Sequence, residues 1–380
     1  MTTLSRLHVR GYRRLLDVDL EMRPFSVLIG ANGAGKTSFL EVLSLLAASG
    51  NAQLSAKISD LGGIGDILTR DKASAVELEL SSPLENEKPL NYALRIEPRG
   101  QGYWIQRETL AQDRGKATPF KHIDSENGNV RYFDTLRAQL MRPDWTLDAF
   151  ETALAQVPKM FHQPEELRRT IAGTTFYASL NVSPKSPVRL PQQMRPATLP
   201  GSQGEDLVTC LYSLRENDPN RFESLEDALS AAFPDFERLA FPPAAAGMLA
   251  MTWKDKHFGR PMYMHQLSEG TLRFLWLATL LTSRDLPPIV LLDEPEVSLH
   301  PELLSLLVGL MREASARSQI VVATHSDRLV RFLKPHELLV VETDGGAAKF
   351  TWADSMQIEE WLADYSLDEL WRSKQLGGIS

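Results

Sequence analysis

Residues 25–48 read FSVLIGANGAGKTSFLEVLSLLAA: an apolar run, a glycine-rich turn and a leucine-striped segment in immediate succession. FSVLIG is the continuous apolar run of a buried strand, and helical spacing begins at about Lys36. Between them, GANGAGKT fits G-x-x-x-x-G-K-[ST] at Gly30, Gly35, Lys36 and Thr37. A strand before and a helix after are the context that makes this pattern a phosphate-binding P-loop rather than a plain glycine turn. Glycines let consecutive backbone N–H groups curl around an anion, and the helix N-terminus adds positive potential at the same place. The candidate nucleotide-binding residues are Gly30, Asn32, Gly33, Ala34, Gly35, Lys36, Thr37 and Ser38. Lys36 would reach the β/γ-phosphates, and the Thr37 hydroxyl would ligate Mg²⁺.

The chain around this loop has 380 residues, 43% hydrophobic and 24% charged, enough for one large domain or two ordinary ones. Its one cysteine, Cys210, excludes an intramolecular disulfide. The N-terminus lacks a secretory pattern, and no apolar run approaches the roughly 18 residues that cross a bilayer. The longest candidate, TLRFLWLATLLTS (271–283), is interrupted by Arg273. A cytoplasmic protein without membrane insertion is expected. The net charge of −8 argues against a wholly basic nucleic-acid binder, while leaving room for a local basic groove.

Along the chain, residues 4–22 read as two short alternating runs around a break at Gly11, and 76–107 as antiparallel strands with one wet face. The spacing turns helical over about 131–172, with an amphipathic run in LDAFETALAQV. The segment 181–201 holds five prolines, the basic residues Lys185, Arg189 and Arg195 and no acid. It reads as extended surface chain and as the one stretch suggestive of contact with a phosphate backbone. Helical patterns return at 205–232, a β-like pair at 247–265, and strand alternates with helix after 267. An α/β sheet is thus split in sequence by a long insertion.

PPIVLLDEPEVSLHP (287–301) is an apolar strand ending in Asp293 and Glu294. A carboxylate at the carboxyl end of a central parallel strand points into the crevice where ligands bind. Asp293 would hold Mg²⁺, and the adjacent Glu294 could polarise an attacking water. QIVVATHSDRLV (319–330) is a further strand, ending in Thr324, His325 and Ser326. LSEGTLRFLWLATLL (267–281) opens with Ser268 as the cap of a helix. Arg13 and Arg14, in VRGYRRL, are either solvated strand charges or contacts to nucleotide or a partner. His300 is read evenly as structural or as facing a partner.

The order of these motifs resembles the ABC-type ATPases, within them the RecF/SMC/Rad50-like branch. It is closest to the bacterial "predicted ATPase" (AAA-21-like) family related to the OLD proteins, whose members carry LSEGTLRFL, LLDEPEVSLHP and ATHS almost as written here. LDELWRSKQLGG (367–378) also looks like that family's ending. The resemblance implies an ABC-type head, a mixed central sheet flanked by helices with an antiparallel β subdomain, carrying a largely helical insertion. It divides the chain into an N-terminal ATPase lobe (1–107), the insertion (108–245) and a C-terminal ATPase lobe (246–380). It implies ATP and Mg²⁺ as ligands, Glu294 and His325 as catalytic residues, and Thr37 and Asp293 at the metal. Ser268, Glu269 and Gly270 would form a signature that acts in trans, with Ser298 in the D-loop. ATP would thus join two copies into a homodimer. Glu269 and Thr271 depart from the usual Leu-Ser-Gly-Gly-Gln signature, and no glutamine is convincing for a Q-loop, Gln53 and Gln106 being candidates by default.

The function implied is an ATP-dependent dimerisation switch in DNA repair or anti-phage defence, with DNA and an effector protein encoded nearby as candidate partners. Two other readings share the motifs: the nucleotide-binding subunit of a membrane transporter, and a regulatory ATPase controlling a separate nuclease or toxin. Few residues follow His325, so a TOPRIM nuclease domain of the OLD kind is not expected. VETDGG (341–346) lacks the paired carboxylates of a two-metal site.

Overall fold

The computed structural model of the protein describes residues 3–356, 358 and 365–373. Residues 374–378 of the stretch read as a family ending lie outside the described residues. At the centre is a six-stranded sheet in the order Thr175–Tyr177, Ile289–Asp293, Gln319–Ala323, Phe25–Gly30, Leu338–Asp344, Ala347–Trp352. The first five strands are parallel and the last is antiparallel.

Side chains alternate across a strand, so a strand with no polar alternation is one covered on both faces. Val27, Ile29, Val290, Leu292, Ile320, Val322 and Val340 point into one core, beneath the helices Leu207–Asn217, Pro219–Ala232, Glu269–Thr282 and Leu303–Ala314. Leu28, Leu291, Val321, Leu339 and Val341 point into the other, which packs on the helix Lys36–Gly50 and the second sheet.

That second sheet is antiparallel and eight-stranded, built from residues between Arg6 and Met141. Its strands Val76–Leu84, Glu87–Arg99 and Gly102–Gln112 alternate buried and exposed residues, as the one-wet-face pattern requires. The first hairpin turns at Arg13 and Arg14, and its strand Arg6–Tyr12 keeps its register across Gly11, which takes a positive φ of 74°.

The helical spacing expected over 131–172 is realised only from Ala153. Asn129–Asp134 and Gln139–Met141 are instead the last strands of the antiparallel sheet. The amphipathic run fails as one helix because Thr152 caps it from within, accepting a hydrogen bond from the Ala155 amide, and Pro158 follows Val157. What remains is Ala153–Gln156, then His162–Ala172. The long insertion also returns the strand Thr175–Tyr177 to the central sheet, alongside Ile289–Asp293.

Candidate functional site

The strand Phe25–Gly30 delivers the glycine-rich loop to the carboxyl edge of the sheet. Gly30 passes so close to the neighbouring strand that a Cβ there would stand 2.0 Å from the Val341 carbonyl oxygen, so no other residue fits. The following helix is capped by Gly35 with φ of 121°, and Lys36 is its first residue. Nζ of Lys36 donates to the carbonyls of Gly30 at 2.7 Å and Ala31 at 3.0 Å, and lies 3.4 Å from Nδ1 of His325. Burial lowers the lysine's pKa to about 8, against the opposing pull of Asp293 and Glu294. Asn32 and Gly33 form the exposed tip of the loop, Ala34 is buried beneath it and Ser38 is half-buried. Thr37 is exposed, between buried Lys36 and half-buried Ser38.

Asp293 ends its strand, and the strand ending at Ala323 lies between it and the P-loop strand. Burial, reinforced by the charge of Glu294, raises the Asp293 pKa, while Lys36 opposes the rise. Glu294 takes a positive φ of 49°, a costly conformation for a residue other than glycine, and its amide donates to the Ala323 carbonyl at 2.9 Å. Its Oε1 stands 3.8 Å from Nε2 of His325. Burial and the neighbouring Lys36 together lower the His325 pKa against the pull of Glu294, which favours a neutral ring. The structure thus brings Lys36, His325 and Glu294 into one line beside Asp293.

Ser268 caps the helix Glu269–Thr282, accepting from the Thr271 amide at 3.1 Å, and is exposed. The carboxylate of Glu269 bridges Arg273 at 3.1 Å and the Ser298 hydroxyl at 2.7 Å. The Ser298 hydrogen bond is the leading reason its pKa is held below the usual carboxylate range. Gly270 lies under the Ser298 carbonyl, where a Cβ would come within 2.7 Å. Ser298 itself has a positive φ of 63°. Glu269 and Gly270 therefore tie the start of the helix Glu269–Thr282 to the turn at Ser298 in the same chain.

Two arginines hold this turn, Arg189 from outside the motifs and Arg273 from within the helix that Ser268 caps. Arg189 donates from Nη1 to the carbonyl of Leu267 at 2.9 Å and from Nε to that of Val182 at 2.6 Å, and Arg273 reaches the Leu180 carbonyl at 3.2 Å. Arg195 forms a two-pronged pair with Asp206. Of the three cations in 181–201 read as suggestive of phosphate contact, Arg189 and Arg195 are thus engaged within the chain. An arginine inside an apolar helical run was a visible signal for Arg273, whereas the sequence marked Arg189 only as a basic residue of the proline-rich segment and not for this contact. Gln53 precedes the helix Leu54–Asp60, and Gln106 lines a cavity on the wet face of the antiparallel sheet with Glu77, Arg95 and Glu126. Neither stands by the P-loop. Tyr177 is in register with Leu292, so the chain leaving that strand at Ala178–Asn181 runs past the Asp293 edge. Arg13 pairs with Glu41 of the P-loop helix at 3.1 Å, Arg14 is exposed, and His300 lies exposed 3.5 Å from Glu302.

The P-loop, the carboxyl-edge Asp–Glu pair and the Ser-capped signature helix on this sheet define the head fold of an ABC/SMC-type ATPase. The chain belongs to the family described as "AAA domain, putative AbiEii toxin, Type IV TA system", whose profile matches residues 25–331. Among solved structures it is similar to the SMC head bound to the C-winged helix domain of ScpA, with TM-score 0.57 and 16% identity over 92% of this chain and 97% of that one. It is similar also to the SMC head with an extended coiled coil bound to the C-terminal domain of ScpA from Pyrococcus furiosus, with TM-score 0.55 and 14% identity over 96% and 100%. A curated relative, the OLD nuclease of Thermus scotoductus, is 44% identical over 43 residues, 11% of this chain and 8% of that protein. The match therefore spans a small part of that relative's length. Among the described residues, no helix is long and apolar enough to cross a membrane.

Proposed function

We propose that the chain binds and hydrolyses ATP, and that ATP closes two copies into a dimer that opens again after hydrolysis. The observation that carries this reading is the line from Lys36 through His325 to Glu294, with separations of 3.4 and 3.8 Å, at the edge of a sheet whose first loop is a P-loop. Lys36 and the loop amides hold the phosphates. Glu294 accepts the proton of the attacking water, and His325, its ring neutral, meets the terminal phosphate.

The residues present fit Mg²⁺. Thr37 is exposed at the start of its helix and Asp293 ends a central strand two places from the P-loop strand, while among the described residues no three His, Cys, Asp or Glu side chains converge into a closed cage. That is the sparse donor set of an ion shared with phosphates. When bound, it would neutralise charge on the phosphate oxygens and orient them.

Ser268 and the Gly270 amide offer a second anion site at an exposed helix start, whose polar partners are Thr271, Arg273 and Ser298 rather than the P-loop. It serves the nucleotide of a second copy. The wider setting is DNA repair or anti-phage defence, with DNA or a separate effector protein as the candidate partner.

ATP turnover and nucleotide binding test the reading. Lys36→Ala is expected to lose nucleotide binding, and Glu294→Gln to keep it with turnover down by about 10²-fold or more. Wild-type turnover in Lys36→Ala would contradict the assignment.

A further inference from the structure

Glu296 lies two residues beyond Glu294 and belongs to none of the roles above. Its carboxyl is largely buried and accepts, through Oε1, the hydroxyl hydrogen of Thr324. Oε2 is buried without a hydrogen-bond partner. Burial pushes the pKa of the group up, against the Thr324 hydrogen bond and the nearby amides of Glu296 and His325, which favour the charged form. A buried carboxyl with an unmatched oxygen costs stability, and breaches of local rules of this kind concentrate where function needs them.

The partner is informative. Thr324 is fully buried, and its amide donates to the Leu28 carbonyl at 3.1 Å, at the end of the P-loop strand. Its hydroxyl, while donating to Glu296, accepts the Ser326 amide at 2.9 Å, which uses its one donor and one of its two lone pairs. The Ser326 hydroxyl accepts in turn from the Leu329 amide at 3.3 Å. His325 therefore stands between two anchored residues. On the other side, Glu294 and Glu296 share one tight turn, closed by the Val297 amide on the Glu294 carbonyl at 3.2 Å and the Leu299 amide on the Glu296 carbonyl at 3.0 Å.

We propose that Glu296 is a positioning residue: through Thr324 it locks the loop carrying His325 to the turn carrying Glu294, and so sets the separation of the two groups that act on water and phosphate. This rests on the ATP-hydrolysis reading above. The Glu294 amide on Ala323 ties the same two segments through the backbone. The carboxyl of Glu296 is the side-chain tie, and the one that substitution can remove.

The experiment compares steady-state ATP turnover and nucleotide affinity for the full chain carrying Glu296→Ala, Glu296→Gln, Thr324→Val, or Glu296→Ala with Thr324→Val. In Glu296→Ala and Thr324→Val, kcat should fall by about tenfold or more while KM moves by less than about threefold, since a misplacement of the order of 1 Å weakens chemistry rather than binding. Glu296→Gln, whose carbonyl still accepts from Thr324, should recover most of the loss. The double variant should be no slower than Glu296→Ala, because the bond that Thr324→Val removes is already lost there. An unchanged kcat in Glu296→Ala, kcat and KM shifting together, or multiplying losses in the double variant would overturn the proposal. If Glu296→Ala fails to fold, Thr324→Val against Thr324→Ser carries the same comparison. Glu294→Gln is measured alongside. Full turnover there sinks the hydrolysis reading, whereas a large loss there with none in Glu296→Ala sinks the positioning role alone.

Discussion

At the scale of single residues, Gly270 and Glu269 show how a departure from a motif acquires a reason. The Ser298 carbonyl occupies the place a Cβ at 270 would need, and Glu269 spends its carboxylate on the Ser298 hydroxyl. Gly270→Ala is therefore expected to push the D-loop off the signature helix, lowering the melting temperature by the equivalent of about 1–3 kcal/mol and reducing turnover. Thermal unfolding and an ATPase assay check both, and a variant with wild-type values in each would remove the contact from the account. The placement of the P-loop, Asp293, Glu294 and His325 along one sheet edge was legible because each ends or closely follows a strand whose apolar run is unmistakable. Glu296 was not, since a third acid in the same turn has no sequence pattern that separates it from solvated loop charge. The Thr324 bond exists only once two strands are placed side by side.

At the scale of elements, the central strands and the three long strands between Val76 and Gln112 were readable because burial there is continuous or strictly alternating. The short outer strands Asn129–Asp134 and Gln139–Met141 bury few residues, and their pattern is too short to oppose a helical reading. The helix after them is fixed from outside by Glu108, whose carboxylate accepts from the amides of Ala153 at 2.6 Å and Leu154 at 2.8 Å and from the Tyr92 hydroxyl at 3.0 Å. Burial raises the Glu108 pKa from 4.5 to about 7 against those hydrogen bonds. Between these two values the folded chain holds a proton that the unfolded chain has lost. Glu108 thus makes stability fall as pH rises from about 4.5 to about 7, by up to about 3 kcal/mol, and the loss is complete above that. Denaturant titrations at pH 5 and 7.5 should show this slope in the wild type and lack it in Glu108→Gln; parallel profiles would deny it. Arg189 acts between elements too. Arg189→Ala should leave ATP binding by the single copy intact and weaken ATP-dependent association, because the Leu267 carbonyl before the signature loses its donor. Association of wild-type strength in that variant would make the contact incidental.

At the scale of the whole molecule, the P-loop and the signature grow from one sheet but present themselves separately. The P-loop lysine is satisfied by its own loop and by His325, whereas the cap at Ser268 is open to a second surface. The split of this sheet by a long insertion was legible in the order of motifs. The insertion's own strand, Thr175–Tyr177, was not, because three residues carry no period. The central claim is that each copy supplies half of a triphosphate site to the other. Sedimentation velocity of Glu294→Gln, with and without saturating ATP, tests it most directly. The account predicts a monomer that becomes a dimer with ATP, and return to monomer when Ser268→Arg is added. A chain that stays monomeric at saturating ATP, or a dimer indifferent to Ser268→Arg, would contradict it.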